Sequence, residues 1–300
     1  MKTEKLFPDF ENCNICPRNC GVNRFKKKGT CGGKFLPLIN TFQLHHWEEP
    51  VISGKNGSGT IFFAGCNLKC VYCQNYTISQ EKHGKNVTID ELAEIMLKLQ
   101  DHGANNINFV TPTHFTPQIK EGIILAKKRG LSIPTIWNSN AYEKKETLQA
   151  LEGLIDIYLP DFRYFTAEAS RKYSDSSDYP EFAKFAISEM FRQVGHLEIS
   201  DYGLAKRGLL IRILVLPGNV GRVDLILDWI SENLGSETYI SLMGQYYPTY
   251  RTNEFPEINR GITKKEYEFA ESFLYKYGFD NGFVQNTGSG KEYTPDFPLI

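Results

Sequence analysis

From residue 60 onward the chain repeats one pattern: a short β-branched or aromatic run, a polar loop, then an amphipathic stretch closed by glycine. Such alternation calls for parallel strands joined by crossover helices. The apolar runs predict strands at 60–64, 106–110, 134–137, 155–159, 209–216 and 239–243. Helical periodicity predicts helices at about 89–102, 116–129, 145–152, 181–194, 223–234 and from 264 onward. Two of these open on capping-box sequences, Thr88-Ile89-Asp90-Glu91 and Thr263-Lys264-Lys265-Glu266, in which hydroxyl and carboxylate satisfy free backbone N–H groups. Pro117 suits a first helical turn, where no N–H partner is needed. Six strand–helix units are fewer than the eight that close a barrel. Right-handed crossovers therefore curve them into an α/β partial (β/α)6 barrel with an open side.

Three hundred residues, 41% of them hydrophobic, suffice to bury one sizeable core. Thirty-four basic and 35 acidic side chains leave a formal net charge of -1, which exerts no long-range pull on phosphate backbones or anionic lipid. Neither nucleic acid nor membrane is therefore an expected partner. Residues 1–10 lack the apolar centre of a secretion signal, and no stretch reaches the roughly 18 apolar residues of a membrane span, so a cytoplasmic protein is expected. The basic run at 24–28 reads as a solvated loop. The glycine-rich run at 54–59 precedes a strand instead of a helix and reads as a turn, not a phosphate cradle. Tyr158, Phe162, Tyr164 and Phe165 sit at strand-end spacing and read as core.

Seven cysteines, an odd number in two groups, point to metal ligation over disulfides. Cys66, Cys70 and Cys73 follow the first barrel strand, in a loop of the kind where parallel barrels place their chemistry. Their spacing can grip three irons of a [4Fe-4S] cluster and leave the fourth iron open. Such an iron can chelate the amino and carboxylate groups of S-adenosylmethionine, and one electron then cleaves the sulfonium to a 5′-deoxyadenosyl radical. Cys13, Cys16, Cys20 and Cys31 form a second group, C-x2-C-x3-C-x10-C, among the turn residues Pro17, Gly21, Gly29, Gly32 and Gly33. Four thiolates close a site completely, and a structural zinc or a second iron–sulfur cluster both fit. This divides the chain into a cysteine-rich segment at 1–45 and a barrel domain at 46–300.

The connection from Cys31 to the first barrel strand is long enough, at roughly 3.3 Å per extended residue, to bring the cysteine-rich segment to the strand ends. There it would pass electrons or pin a flap over the barrel mouth. His45, His46, Glu48 and Glu49 lie on that connection, where a solvated loop side chain is the ordinary reading. His114, beside a strand end, reads equally as proton donor or as hydrogen-bonded loop histidine. Gln245, Tyr246 and Tyr247 are open in the same way.

Through Cys66-Asn67-Leu68-Lys69-Cys70-Val71-Tyr72-Cys73 the chain resembles the radical S-adenosylmethionine superfamily over roughly residues 45–280. Gln74-Asn75, Asp161-Phe162-Arg163, Arg212 and Leu216-Pro217-Gly218 look most like the branch containing pyruvate formate-lyase activating enzyme, as does Glu48-Glu49-Pro50 through Gly57-Ser58-Gly59-Thr60. The resemblance implies that Asp161 and Arg163 match an Asp-x-Lys that holds S-adenosylmethionine, that Arg212 matches a cofactor-side arginine, and that Tyr72 packs on the adenine. Asn75 and Asn138 are further candidate cofactor contacts. Where the branch commonly carries Gly-Gly-Glu this chain has Thr111-Pro112-Thr113-His114, so the hydroxyls of Thr111 and Thr113 would substitute. Asn138-Ser139-Asn140 departs from the branch too, and Gln245-Tyr246-Tyr247-Pro248 stands where a histidine is common. The resemblance also implies a flavodoxin- or ferredoxin-type electron donor.

Together these features predict a radical enzyme that abstracts hydrogen from a protein, peptide or small molecule, with activation of a glycyl radical enzyme as one form. The rival is a non-catalytic zinc-binding platform for a partner, in which both cysteine groups hold zinc.

Overall fold

The apolar runs assemble into one sheet. In the computed structural model, which describes residues 7–285 and Phe297, the strands are β1 (Leu38–His45), β2 (Ser58–Phe63), β3 (Lys85–Asn86), β4 (Ile107–Val110), β5 (Thr135–Ser139), β6 (Ile157–Pro160), β7 (Glu198–Ile199), β8 (Ala205–Leu214), β9 (Tyr239–Met243) and β10 (Gly282–Val284). The helices are α1 (Pro50–Ser53), α2 (Tyr76–Ser79), α3 (Ile89–Asp101), α4 (Thr116–Lys128), α5 (Lys145–Gln149), α6 (Ala167–Ser174), α7 (Tyr179–Val194), α8 (Val223–Leu234) and α9 (Lys264–Tyr277). Residues 1–6, on which the reading of the N-terminus partly rested, and most of 286–300 at the end of the expected barrel domain lie outside the described residues.

The sheet order is β10-β9-β8-β6-β5-β4-β2-β1-β3, with β7 paired to β8. The six expected strands, β2, β4, β5, β6, β8 and β9, are all parallel and follow one another in chain order. The sheet does not close, so the expected partial barrel is present. β2, β5 and β6 are buried along their whole length, as parallel strands covered on both faces must be.

Both ends of the sheet extend past the six units. β1, whose residues were read as a connection, lies antiparallel to β2, so the route from the cysteines to the barrel is itself part of the sheet. β10 adds a parallel strand beyond β9. Gly282 permits this approach: a Cβ there would lie 2.0 Å from the Ile240 carbonyl oxygen, closer than any side chain tolerates. The long loop expected after β6 contains α6.

Local chemistry explains the helix starts. Thr88 and Glu91 form a reciprocal capping box at α3, and Thr263 and Glu266 form another at α9. Gly54 and Gly57 both have positive φ in the turn between α1 and β2, in keeping with the turn reading. Tyr158, Phe162 and Tyr164 are fully buried core residues. The 24–28 run departs from expectation, because Arg24 is fully buried. It belongs to a small second core in which the rings of Phe7, Phe10, Phe25 and Phe35 pack on one another.

Thr88→Ala removes the acceptor for the Glu91 amide and should cost about 1 kcal/mol of stability. A lower denaturant midpoint at unchanged m-value is the expected readout.

Candidate functional site

The chain leaves β2 through Ala64 and Gly65 and enters a loop with little regular structure. Gly65 has φ +88, and a Cβ on it would sit 2.4 Å from the Cys31 carbonyl oxygen, so only glycine lets the cysteine-rich segment come this close. The loop is held by backbone bonds to distant elements. Cys66 N donates to Cys31 O (3.1 Å), Lys69 N to Ser174 O (3.2 Å) and Val71 N to Tyr173 O (2.9 Å), while Arg251 N donates to Val71 O (2.9 Å). Arg18 adds a side-chain brace, its Nε donating to Asn67 O at 2.7 Å.

Each sulfur in the loop has a polar neighbour. Asn140 Nδ2 donates to Cys66 Sγ (3.4 Å), Ser174 Oγ donates to Cys70 Sγ (2.9 Å), and Ser79 Oγ lies 3.1 Å from Cys73 Sγ. Burial pushes the Cys66 thiol upward and carries Cys73 to about 12, with Cys70 adding to both. Thiols raised in this way, as Cys66 and Cys73 are, resist ionisation unless a cationic centre offsets their charge, and a thiolate-ligated metal supplies that offset. Ser79 and Ser174 were not singled out from sequence and Asn140 was noted only as part of the Asn138-Ser139-Asn140 departure, because each reaches its sulfur only through the fold.

The three cysteines line a cavity of about 680 Å3 that also takes in Tyr72, Asn75, Thr111, Asn138, Asp161, Arg163 and Arg212. That volume lies in the roughly 300–1,000 Å3 range of small-molecule sites. Seven of the eight predicted cofactor contacts thus share one space with the cysteines. Asp161 and Arg163 pair at 2.5 Å. Burial would lower the Arg163 pKa, but Asp161 and then Cys70 and Tyr72 raise it well above its ordinary value. Its Nε is buried with no hydrogen-bond partner among the described residues. Thr111 has φ +57, a left-handed conformation that is unusual for a β-branched residue and falls where the resembling branch commonly has glycine.

Thr113 does not join them. Its hydroxyl donates to Glu143 Oε1 at 2.9 Å, and Glu143 also accepts from Trp137 Nε1 (2.9 Å) and Ser139 Oγ (2.7 Å). This buried carboxyl ties the ends of β4 and β5 together. His114 is likewise outside the cavity. Its Nε2 donates to Ala64 O at 3.0 Å, and burial lowers its pKa to about 3, so it is a neutral structural anchor and not a proton donor.

Arg212 is committed within the protein. Its Nε donates to Glu49 Oε1 (2.8 Å), and one terminal nitrogen donates to Glu49 Oε2 (2.5 Å) and to Glu48. Asn108 Nδ2 completes the group with a 2.9 Å bond to Glu48 Oε1. The expectation of solvated loop side chains is overturned for His45, Glu48 and Glu49: β1 runs against β2 and carries the residues after it into the cavity, where the buried Arg212 recruits both carboxylates. Gln245 lines the same cavity, whereas the Tyr246 hydroxyl donates to Ile258 O at 2.6 Å.

In the cysteine-rich segment, a Cβ on Gly29 would lie 3.5 Å from both Cys20 Sγ and Cys31 Sγ. Burial raises Cys16 to about 12, and Cys31, Cys13 and Cys20 are near enough to add to the shift. Among the described residues, no three His, Cys, Asp or Glu side chains close on a point as a single metal ion would require.

Comparison with known proteins bears directly on the three-cysteine loop. The Radical SAM superfamily model matches residues 60–188. The uncharacterized protein MJ0674 of Methanocaldococcus jannaschii is 35% identical over 290 residues, which are 93% of this chain and 79% of that one. The chain belongs to the radical SAM superfamily. Membership in that superfamily implies a [4Fe-4S] cluster and S-adenosylmethionine, and the thiol chemistry of the loop and the size of the radical SAM cavity fit both. Among solved structures, the chain is similar to HydG, a maturase of the [FeFe]-hydrogenase (TM-score 0.49, 14% identity, 73% of this chain and 49% of that one). It is also similar to Streptococcus suis SuiB bound to precursor peptide SuiA (TM-score 0.48, 14% identity, 73% and 46%). The chain thus spans about half the length of these two solved proteins. Among the described residues no helix is long and apolar enough to cross a membrane.

Glu49→Ala leaves the buried Arg212 cation half-compensated and should cost about 3 kcal/mol, read from the denaturant midpoint. Burial works to raise the Glu49 pKa from its ordinary 4.5, but Arg212 outweighs it and the net shift is downward. The Glu49 contribution is therefore present above about pH 4.5 and is lost as pH falls below it. Acid titration of stability should show a correspondingly smaller loss in Glu49→Ala than in the parent.

Proposed function

We propose that Cys66, Cys70 and Cys73 ligate a [4Fe-4S] cluster and that the protein uses it to abstract hydrogen from a protein, peptide or small-molecule substrate. The observation that carries this reading is the meeting of all three thiols with Tyr72, Asn75, Thr111, Asn138, Asp161 and Arg163 around one cavity. When bound, the cluster and S-adenosylmethionine supply a 5′-deoxyadenosyl radical by one-electron cleavage of the sulfonium.

The chain's own residues have separable tasks. Asn140, Ser174 and Ser79 donate toward the sulfurs, which favours the thiolate form and tunes the potential of what they ligate. Arg163, oriented by Asp161, lines the cavity with its side chain 23% exposed and offers a cation suited to an anionic group such as a carboxylate. Tyr72 lies edge-on to Tyr164 and Tyr246, with ring centroids 6.3 and 5.8 Å away, and this packing holds the ring in place to meet an adenine. Arg212 with Glu48 and Glu49 forms a charge-compensated group in the cavity wall.

Within this class the activating-enzyme-like reading comes first, resting on the Asp161-Phe162-Arg163 and Arg212 matches. Modification of another substrate is the second form, favoured by the Thr111-Pro112-Thr113-His114 departure. Electrons would come from a flavodoxin- or ferredoxin-type donor.

Anaerobically reconstituted protein given dithionite and S-adenosylmethionine should release 5′-deoxyadenosine, and Cys70→Ala should abolish it. Release by Cys70→Ala at the parental rate, or protein that binds zinc alone and no iron, would sink the assignment in favour of the platform reading. Arg163→Met should weaken S-adenosylmethionine binding about tenfold, or about 1.4 kcal/mol, with iron content unchanged; equilibrium binding to the reconstituted protein checks this.

A further inference from the structure

Arg24 is a buried cation for which no carboxylate partner is found among the described residues. Its guanidinium donates to His114 O (2.5 Å) and Lys34 O (2.7 Å) and lies over the Phe10 and Phe115 rings, 4.5 and 5.3 Å from their centroids. Among the described residues Nε has no hydrogen-bond partner. A Cβ on Gly33 would lie 2.5 Å from a terminal nitrogen, so the chain leaves room for this side chain and no more. Neutral carbonyls and ring faces do not cancel a full charge, and an uncompensated ion in such a place is strongly disfavoured.

The groups next to Arg24 that can become anionic are sulfurs. Gly33 lies against an Arg24 terminal nitrogen, and Cys20 Sγ lies 3.9 Å from Cys13 O. Cys20 and Cys31 flank Gly29, Gly33 N donates to Cys31 Sγ at 3.4 Å, and Cys16 neighbours the other three. We propose that Cys13, Cys16, Cys20 and Cys31 bind an iron–sulfur cluster, separate from the site at Cys66, Cys70 and Cys73, and that Arg24 is the buried cation balancing its negative charge. Among the described residues these sulfurs do not converge on one point, which suits a multi-iron cluster and not a single ion. Four thiolates around a [4Fe-4S]2+ cluster leave a net charge near −2, which suits one guanidinium alongside.

This second centre abuts the first loop. Cys31 O accepts from Cys66 N at 3.1 Å, and Arg24 grips the carbonyl of His114, whose ring in turn holds Ala64. Ordering of the second centre therefore also positions the start of the Cys66 loop.

The test uses full-length protein in which Cys66, Cys70 and Cys73 are all changed to Ala, so its outcome does not depend on the proposed radical chemistry. After anaerobic purification and supply of iron and sulfide, with zinc supplied separately as a control, this variant should hold about four irons per chain and no stoichiometric zinc. Adding Cys16→Ser and Cys20→Ser should remove that metal while the far-UV spectrum stays folded. Iron with matching sulfide assigns the cluster, and one tightly held zinc in its place would overturn it. A folded triple variant without stoichiometric metal under either supply would overturn the site. Arg24→Met should release the metal to a chelator at least tenfold faster than the parent, with Arg24→Lys in between. Chelation at the parental rate by folded Arg24→Met would overturn the charge-balancing role.

Discussion

Three sulfurs have to face one cavity from a loop that has almost no secondary structure to hold it, and most of the long-range bonding around the site answers that constraint. The loop borrows rigidity from elsewhere: α6 supplies two carbonyls, residue 251 supplies an amide, and the cysteine-rich segment supplies both the Cys31 carbonyl and the Arg18 brace. Because parallel strands carry their connections at their ends, the same geometry that exposes the loop to the cavity also brings the ends of β4, β5 and β6 around it. Without those anchors the thiols would lose the fixed spacing that distinguishes a cluster site from scattered free cysteines.

Charge is handled in two different ways inside the barrel. Arg212 is matched within the protein by Glu48 and Glu49, so that group is complete and serves structure. Arg163 pairs with Asp161 alone among the described carboxylates, and its side chain lines the cavity 23% exposed, which leaves it able to meet a ligand. The resemblance to the activating-enzyme branch treats both arginines as cofactor-side residues. Their surroundings separate them, since an arginine held by two carboxylates has little left to offer a third group.

Much of the scaffold was legible because its signals are local. Glycine stops, capping boxes and apolar runs place α3, α8, α9 and β9 nearly to the residue, as hydrogen bonding within a turn of helix depends on neighbours in sequence. β1 was illegible for the opposite reason: a strand at the margin of the barrel has a mixed burial pattern, and only β2 alongside makes it a strand. Arg24 misled in the same fashion. A basic run ordinarily faces solvent, yet packing of the Phe7, Phe10, Phe25 and Phe35 core draws its first residue inside and leaves Lys26 to Lys28 out.

What the sequence determined by itself was the grouping of the cysteines, the superfamily motif they form and the repeating unit, because cysteine spacing and hydrophobic period are properties of the chain alone. Tertiary structure decided which polar groups meet. It turned Thr113 away to Glu143, buried His114 as an anchor, carried Glu48 and Glu49 onto Arg212, and set the Cys31 carbonyl against the Cys66 amide. These pairings join residues from about 30 to more than 160 positions apart, and a buried charge or hydroxyl takes whatever partner the packing brings within reach.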